Sequence, residues 1–157
     1  MNPFNMLKED HRKVKELFKK YEEAGDRAFR RKGQIAQKAI HELEVHAQVE
    51  EELFYPKVKE NVDKEARHLV NEAFEEHHVV KMLIAELKRL KPEDESFDAK
   101  FKVLMENVKH HIKEEENELF PEAKDGLDGM SEPLGEEMED RKVELQEEIP
   151  EDSLNLS

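Results

Sequence analysis

Apolar residues recur at alternating spacings of four and three along four stretches of the chain. Leu7, Val14, Phe18 and Tyr21 keep that rhythm from about Pro3 until Gly25. Ala36, Ala39, Leu43 and Leu53 keep it from about Arg31 to Pro56, which marks a kink or an approaching end. Val70, Ala73, Val80, Ile84 and Leu87 follow from about Asp63 to Lys91-Pro92. Phe97, Phe101, Leu104, Val108 and Leu119 run from Ser96, read as an N-cap, towards Pro121. Such spacing places each set on one face of a helix. Short connections make sequential helices antiparallel neighbours, so the pattern predicts an all-α, up-down-up-down four-helix bundle.

The stretch EAKDGLDGMSEPLG after Phe120-Pro121 contains Gly and Pro and reads as a linker. Ser131 and Pro133 then start a short C-terminal helix with Leu134, Met138 and Leu145 on one side, expected to dock on the bundle or on a partner subunit. Residues 1–124 are read as the bundle, and residues 125–157 as linker, short helix and frayed tail.

Six polar residues interrupt the apolar stripes in phase with them: His11, His46, Glu50, His77, His111 and Glu115. They belong to a duplication. His11 and His77 are 66 residues apart, His46 and His111 are 65 apart, and each second histidine has Glu four residues on and Pro ten residues on. At about 1.5 Å of rise per residue, His11 before Gly25 and His46 after the start of the next helix sit at similar heights in a hairpin. The same holds for His77 and His111. The stripes therefore predict one polar layer inside the bundle with approximate two-fold symmetry.

Composition narrows what that layer can be. The absence of cysteine excludes thiolate ligands, thiol catalysis and disulfides. A formal charge of -14 argues against nucleic acid and anionic membrane surfaces as partners. No apolar run approaches a membrane span, and the start MNPFNMLKEDH lacks a signal-peptide core, so a cytoplasmic location is expected.

Four imidazoles and two carboxylates in an apolar core carry a cost of several kcal/mol unless paired. A pair of metal ions removes that cost. Nitrogen and carboxylate donors suit iron, with zinc, cobalt and manganese as alternatives. His and Glu at i and i+4 share a helix face and serve one site. If Glu50 and Glu115 each bridge both ions and an oxide or hydroxide bridge joins them, each ion is about five-coordinate and keeps a position for a small ligand.

The segments EDHRKV, HAQVEEELFYP, EEHHVVKML and HIKEEENELFP resemble the four helix motifs of the hemerythrin-like, HHE cation-binding family over roughly residues 5–123. The resemblance implies a cofactor of two non-haem iron ions in a four-helix bundle, with His11, His46, Glu50, His77, His111 and Glu115 as ligands. It also implies binding or sensing of dioxygen, or reactions with peroxide or nitric oxide. Two positions depart from the oxygen carriers of that family. Their fifth histidine is replaced by Ala73, and their last carboxylate falls where this chain has Glu116. Glu51 and Glu116 therefore stand as alternative or additional ligands.

Three functions follow as expectations. They are a di-iron protein that binds a small ligand, a di-iron enzyme with peroxidase-like or oxidase activity, and an interaction module that metal merely stabilises. His41, His68, His78 and His110 fall off the stripes and are expected at the surface, with His78 and His110 as possible supports for the neighbouring ligands. Tyr21 is read as packing.

Overall fold

Asn2 starts the first helix, its side-chain oxygen accepting the Asn5 N–H at 2.9 Å, and Pro3 occupies the first turn, where no intrahelical donor is needed. The computed structural model describes residues 1–151 and Leu154. Its four long helices are α1 (Pro3–Glu23), α2 (Phe29–Val49), α4 (Lys64–Leu87) and α5 (Glu95–Glu114), and the hairpins α1–α2 and α4–α5 pack into the antiparallel bundle that the stripes predict. Asp63 caps α4 by accepting the Ala66 N–H at 3.0 Å. The cap of α5 is Asp94 rather than Ser96, which lies inside the helix.

Neither Pro56 nor Pro121 ends its helix. α2 passes through a π-helical turn, Glu50–Phe54, into α3 (Tyr55–Glu60), and α5 passes through Glu115–Leu119 into α6 (Phe120–Gly126). A proline deep in an α-helix removes a bond and clashes with the preceding turn. Here each proline instead stands in the first turn of the renewed helix, just beyond the wider π-turn.

The expected linker is mostly helical. Glu122–Gly126 completes α6, a turn spans residues 127–130, and α7 (Ser131–Glu148) is 18 residues long rather than short. α7 docks on α1 and α2 through buried Leu134, Met138 and Leu145. Of the tail expected to fray, residues 152, 153 and 155–157 lie outside the described residues, whereas Leu154 is buried. No described helix is long and apolar enough to cross a membrane.

The core is divided in two. At one end Phe4, Leu7, Phe54, Tyr55, Leu119 and Phe120 form an apolar cluster, with Phe4 edge-on to Phe54 and Phe120 at 5.8 and 5.4 Å. At the other, Val14, Phe18, Tyr21, Leu87, Phe97 and Phe101 form a second. The predicted polar residues occupy the layer between them.

Candidate metal centre

All six polar residues on the stripes are buried, with Glu50 completely inaccessible. Glu50 Oε1 lies 3.0 Å from His46 Nε2 and 3.2 Å from His77 Nε2. Glu115 presents Oε1 to His11 Nε2 and Oε2 to His111 Nε2, each at 3.2 Å. Each carboxylate thus spans the two halves of the duplication. The rings repeat the symmetry: His11 and His46 are 4.9 Å apart at 61°, and His77 and His111 are 4.9 Å apart at 63°.

The opposite nitrogen of every ring is held by a carboxylate. Asp10 meets His46 Nδ1 at 2.9 Å, Glu116 meets His11 Nδ1 at 2.6 Å, Glu51 meets His77 Nδ1 at 2.9 Å, and Glu76 meets His111 Nδ1 at 2.7 Å. A proton fixed on Nδ1 leaves Nε2 as the donor atom facing the centre, the arrangement that orients metal-binding histidines. Glu51 and Glu116, open as ligands from sequence alone, therefore reach the outer nitrogens. His78 is exposed, and His110 pairs with Glu114 at 2.9 Å rather than with an inward ring. Asp10 and Glu76 were missed. Their signal was the repeat itself, which places an acid immediately before the first histidine of each half and another immediately after each inward glutamate.

Tyr55, off the stripe that carries Glu50 and Leu53, also reaches the centre. The π-turn brings its N–H to Glu50 O and rotates the ring onto the line of Glu50, so that Leu53 turns partly outward while Phe54 and Tyr55 turn in. The Tyr55 hydroxyl donates to Glu115 and lies 3.2 Å from His77 Nε2 and 3.4 Å from His111 Nε2. The duplicated position holds Phe120, stacked at 6.1 Å from His11. The two halves therefore match in their histidines and carboxylates but differ in one hydroxyl.

For the four histidines burial opposes the charged form, yet their contacts with carboxylates win. It pushes the His111 imidazole down, but the charge and hydrogen bonds of Glu115 and the bond to Glu76 raise it to about 10. Likewise burial would raise the Asp10 carboxyl, while His46 and Lys142 hold it down to about 2. Tyr55 is pushed well above the ordinary phenol range by burial and by the charges of Glu115 and Glu50, so its hydroxyl remains a donor.

Even so, the centre is not satisfied by its own hydrogen bonds. His11 Nε2, His46 Nε2, both oxygens of Glu50 and Glu115 Oε1 are buried without a hydrogen-bond partner, although they lie close together. Nitrogen and oxygen atoms that converge without the alignment of a hydrogen bond fit a cation between them. At the centre two overlapping groups bring their ligand atoms close enough together to hold an ion: His11, His46, Glu50 and Glu115, and then Glu50, His77 and His111.

Similarity to known proteins agrees with this geometry. The chain matches a DNA nickase of Nostoc at 26% identity over 95% of this chain and 41% of the relative. It matches an uncharacterized hemerythrin-like protein of Schizosaccharomyces pombe at 29% identity over 71% of this chain and 54% of the relative. The chain thus spans only about half the length of these relatives. In fold, it superimposes on the crystal structure of a hemerythrin HHE cation binding domain-containing protein from Mycobacterium kansasii with a TM-score of 0.79, 24% identity, and coverage of 94% of this chain and 89% of that one. Residues 2–123 match the hemerythrin HHE cation binding domain, and the chain belongs to that family.

Proposed function

We propose that the protein is a non-haem di-iron protein whose centre binds a small ligand such as dioxygen, nitric oxide or peroxide. His11 and His46 would hold one ion, His77 and His111 the other, and Glu50 and Glu115 would bridge them. The observation that carries this reading is the pair of carboxylates, each within 3.2 Å of histidines from both halves. Asp10, Glu51, Glu76 and Glu116 orient the rings, and an apolar cluster lies on either side of the layer. Bound iron would supply an open position with redox character, which the side chains alone lack.

Elemental analysis of protein from iron-replete cells tests the proposal. About two iron atoms per chain are expected. One zinc per chain, or no metal, overturns it.

A second reading, peroxide turnover, draws on Tyr55. Its hydroxyl stands beside the His77–His111 pair as a proton donor, where the opposite half has Phe120. Hydrogen peroxide consumption that falls in Tyr55→Phe supports the enzyme, and an iron-loaded protein with no turnover supports ligand binding alone. A formal charge of -14 argues against a nucleic-acid partner for either reading.

A further inference from the structure

The carboxylates that hold the outer ring nitrogens are not backed alike in the two halves. Asp10 and Glu76 occupy equivalent places in the duplication, each one residue before an inward histidine and each reaching a histidine of the next helix, His46 and His111. Asp10 divides its oxygens: Oδ2 accepts the His46 Nδ1–H at 2.9 Å, and Oδ1 accepts from the Lys142 ammonium at 2.6 Å. Glu76 holds His111 and has His110 and Glu114 as its neighbours, with no lysine or arginine paired to it among the described residues.

Lys142 stands on α7, beyond the residues 2–123 that match the family domain. Its side chain is 19% exposed and that of Asp10 4%, so little solvent screens the pair. Lys81 offers the comparison. It donates to Glu51, which holds His77, at 2.7 Å, but it is 48% exposed, and an ion pair so open to water is weak.

A carboxylate that accepts from an imidazole N–H makes the opposite nitrogen a better metal ligand. An ammonium on the same carboxylate draws charge away from that bond. We propose that α7 tunes the centre through Lys142, whose ammonium, acting by way of Asp10, weakens His46 Nε2 as a ligand relative to His111 Nε2. Lys142 touches no ligand itself and is a positioning residue. The proposal rests on the metal-binding reading of the layer and adds to it a regulator from outside the family domain. Its sign sets it apart from a structural role. Loss of a mere strap would loosen the layer and weaken metal binding, whereas loss of the ammonium should strengthen it.

The full chain, stripped of metal, is titrated with cobalt(II), and the iron-loaded chain is followed by spectroelectrochemistry. Lys142→Met should raise the overall cobalt affinity about tenfold. For iron, the same factor in the ratio of ferric to ferrous affinity lowers the potential by about 59 mV for one electron. Lys142→Gln keeps a hydrogen-bond donor without the charge and should shift both readings in the same direction, which preserves the test if Lys142→Met does not fold. Lys142→Arg should restore the parent values, and Lys81→Met should move them less than Lys142→Met does.

Unchanged or weaker cobalt binding in a folded Lys142→Met or Lys142→Gln overturns the proposal, as does an equal shift in Lys81→Met. An unchanged potential in a variant that holds two iron atoms overturns it while the di-iron reading stands. A parent chain that takes up no cobalt overturns it as well. A chain that acquires no iron but shows the expected cobalt shifts leaves Lys142 in its role while the di-iron reading falls.

Discussion

Replacing Tyr55 by Phe removes one oxygen and almost no volume, so the ring keeps its packing against Phe54 and Phe74 at 5.8 and 5.2 Å. What it deletes is a buried donor to Glu115, a carboxylate only 2% exposed. A hydrogen bond to a charged group is worth about 1.5–3 kcal/mol. Spread over a chain of this size, at roughly 2–4 °C per kcal/mol, the metal-free variant should melt roughly 3–12 °C lower. Iron should narrow the gap, since a cation satisfies the carboxylate that the phenol otherwise serves. Differential scanning calorimetry of parent and Tyr55→Phe, each metal-free and iron-loaded, gives the four midpoints. Equal midpoints for the two metal-free proteins would refute the hydroxyl as a support of Glu115. A gap that iron leaves unchanged would show that Glu115 does not gain a cation.

Glu51→Gln and Glu116→Gln each weaken the hold on an Nδ1 proton and should lower metal affinity about 10–100-fold in a chelator competition; wild-type affinity in both would remove these carboxylates from the centre. His77→Ala takes away the shared partner of Glu50 and Glu51, and should cost about 3–5 kcal/mol in chemical denaturation together with bound metal. Full metal content with unchanged stability would place His77 outside the layer. Gly126→Ala puts a Cβ 2.5 Å from Asn61 O and 2.8 Å from Val62 Cγ1, where the end of α6 passes the turn after α3. Overpacking against backbone should cost about 1–3 kcal/mol in the same denaturation assay, and a neutral result would mean that this turn yields freely.

The inward trio of each half was legible because phase on a helix depends only on spacing, and spacing is a property of the sequence. A histidine four residues before a glutamate shares its face wherever the helix goes, and the duplication with similar lever arms from each turn put all six at one height. The same logic gave the four helices and their antiparallel order. It failed where the phase slips. The π-turns at Glu50–Phe54 and Glu115–Leu119 each add a residue to a turn, so extrapolating the stripe pointed to Leu53 and passed over the Tyr55 hydroxyl. The prolines at 56 and 121 signalled an irregularity, but not whether the helix stopped or continued.

Partners across the bundle were beyond any periodicity. That Glu116 serves His11 and Glu51 serves His77, each in the opposite half, depends on which helices face one another and how far the side chains reach. The same holds for α7, whose Lys142 comes within 2.6 Å of Asp10 and so touches the carboxylate that holds His46. Which residues turn inward, and at what level, follows from local helical geometry and can be read from spacing alone. Which nitrogen faces the centre and where the Tyr55 hydroxyl lies are set by contacts between helices far apart in the chain.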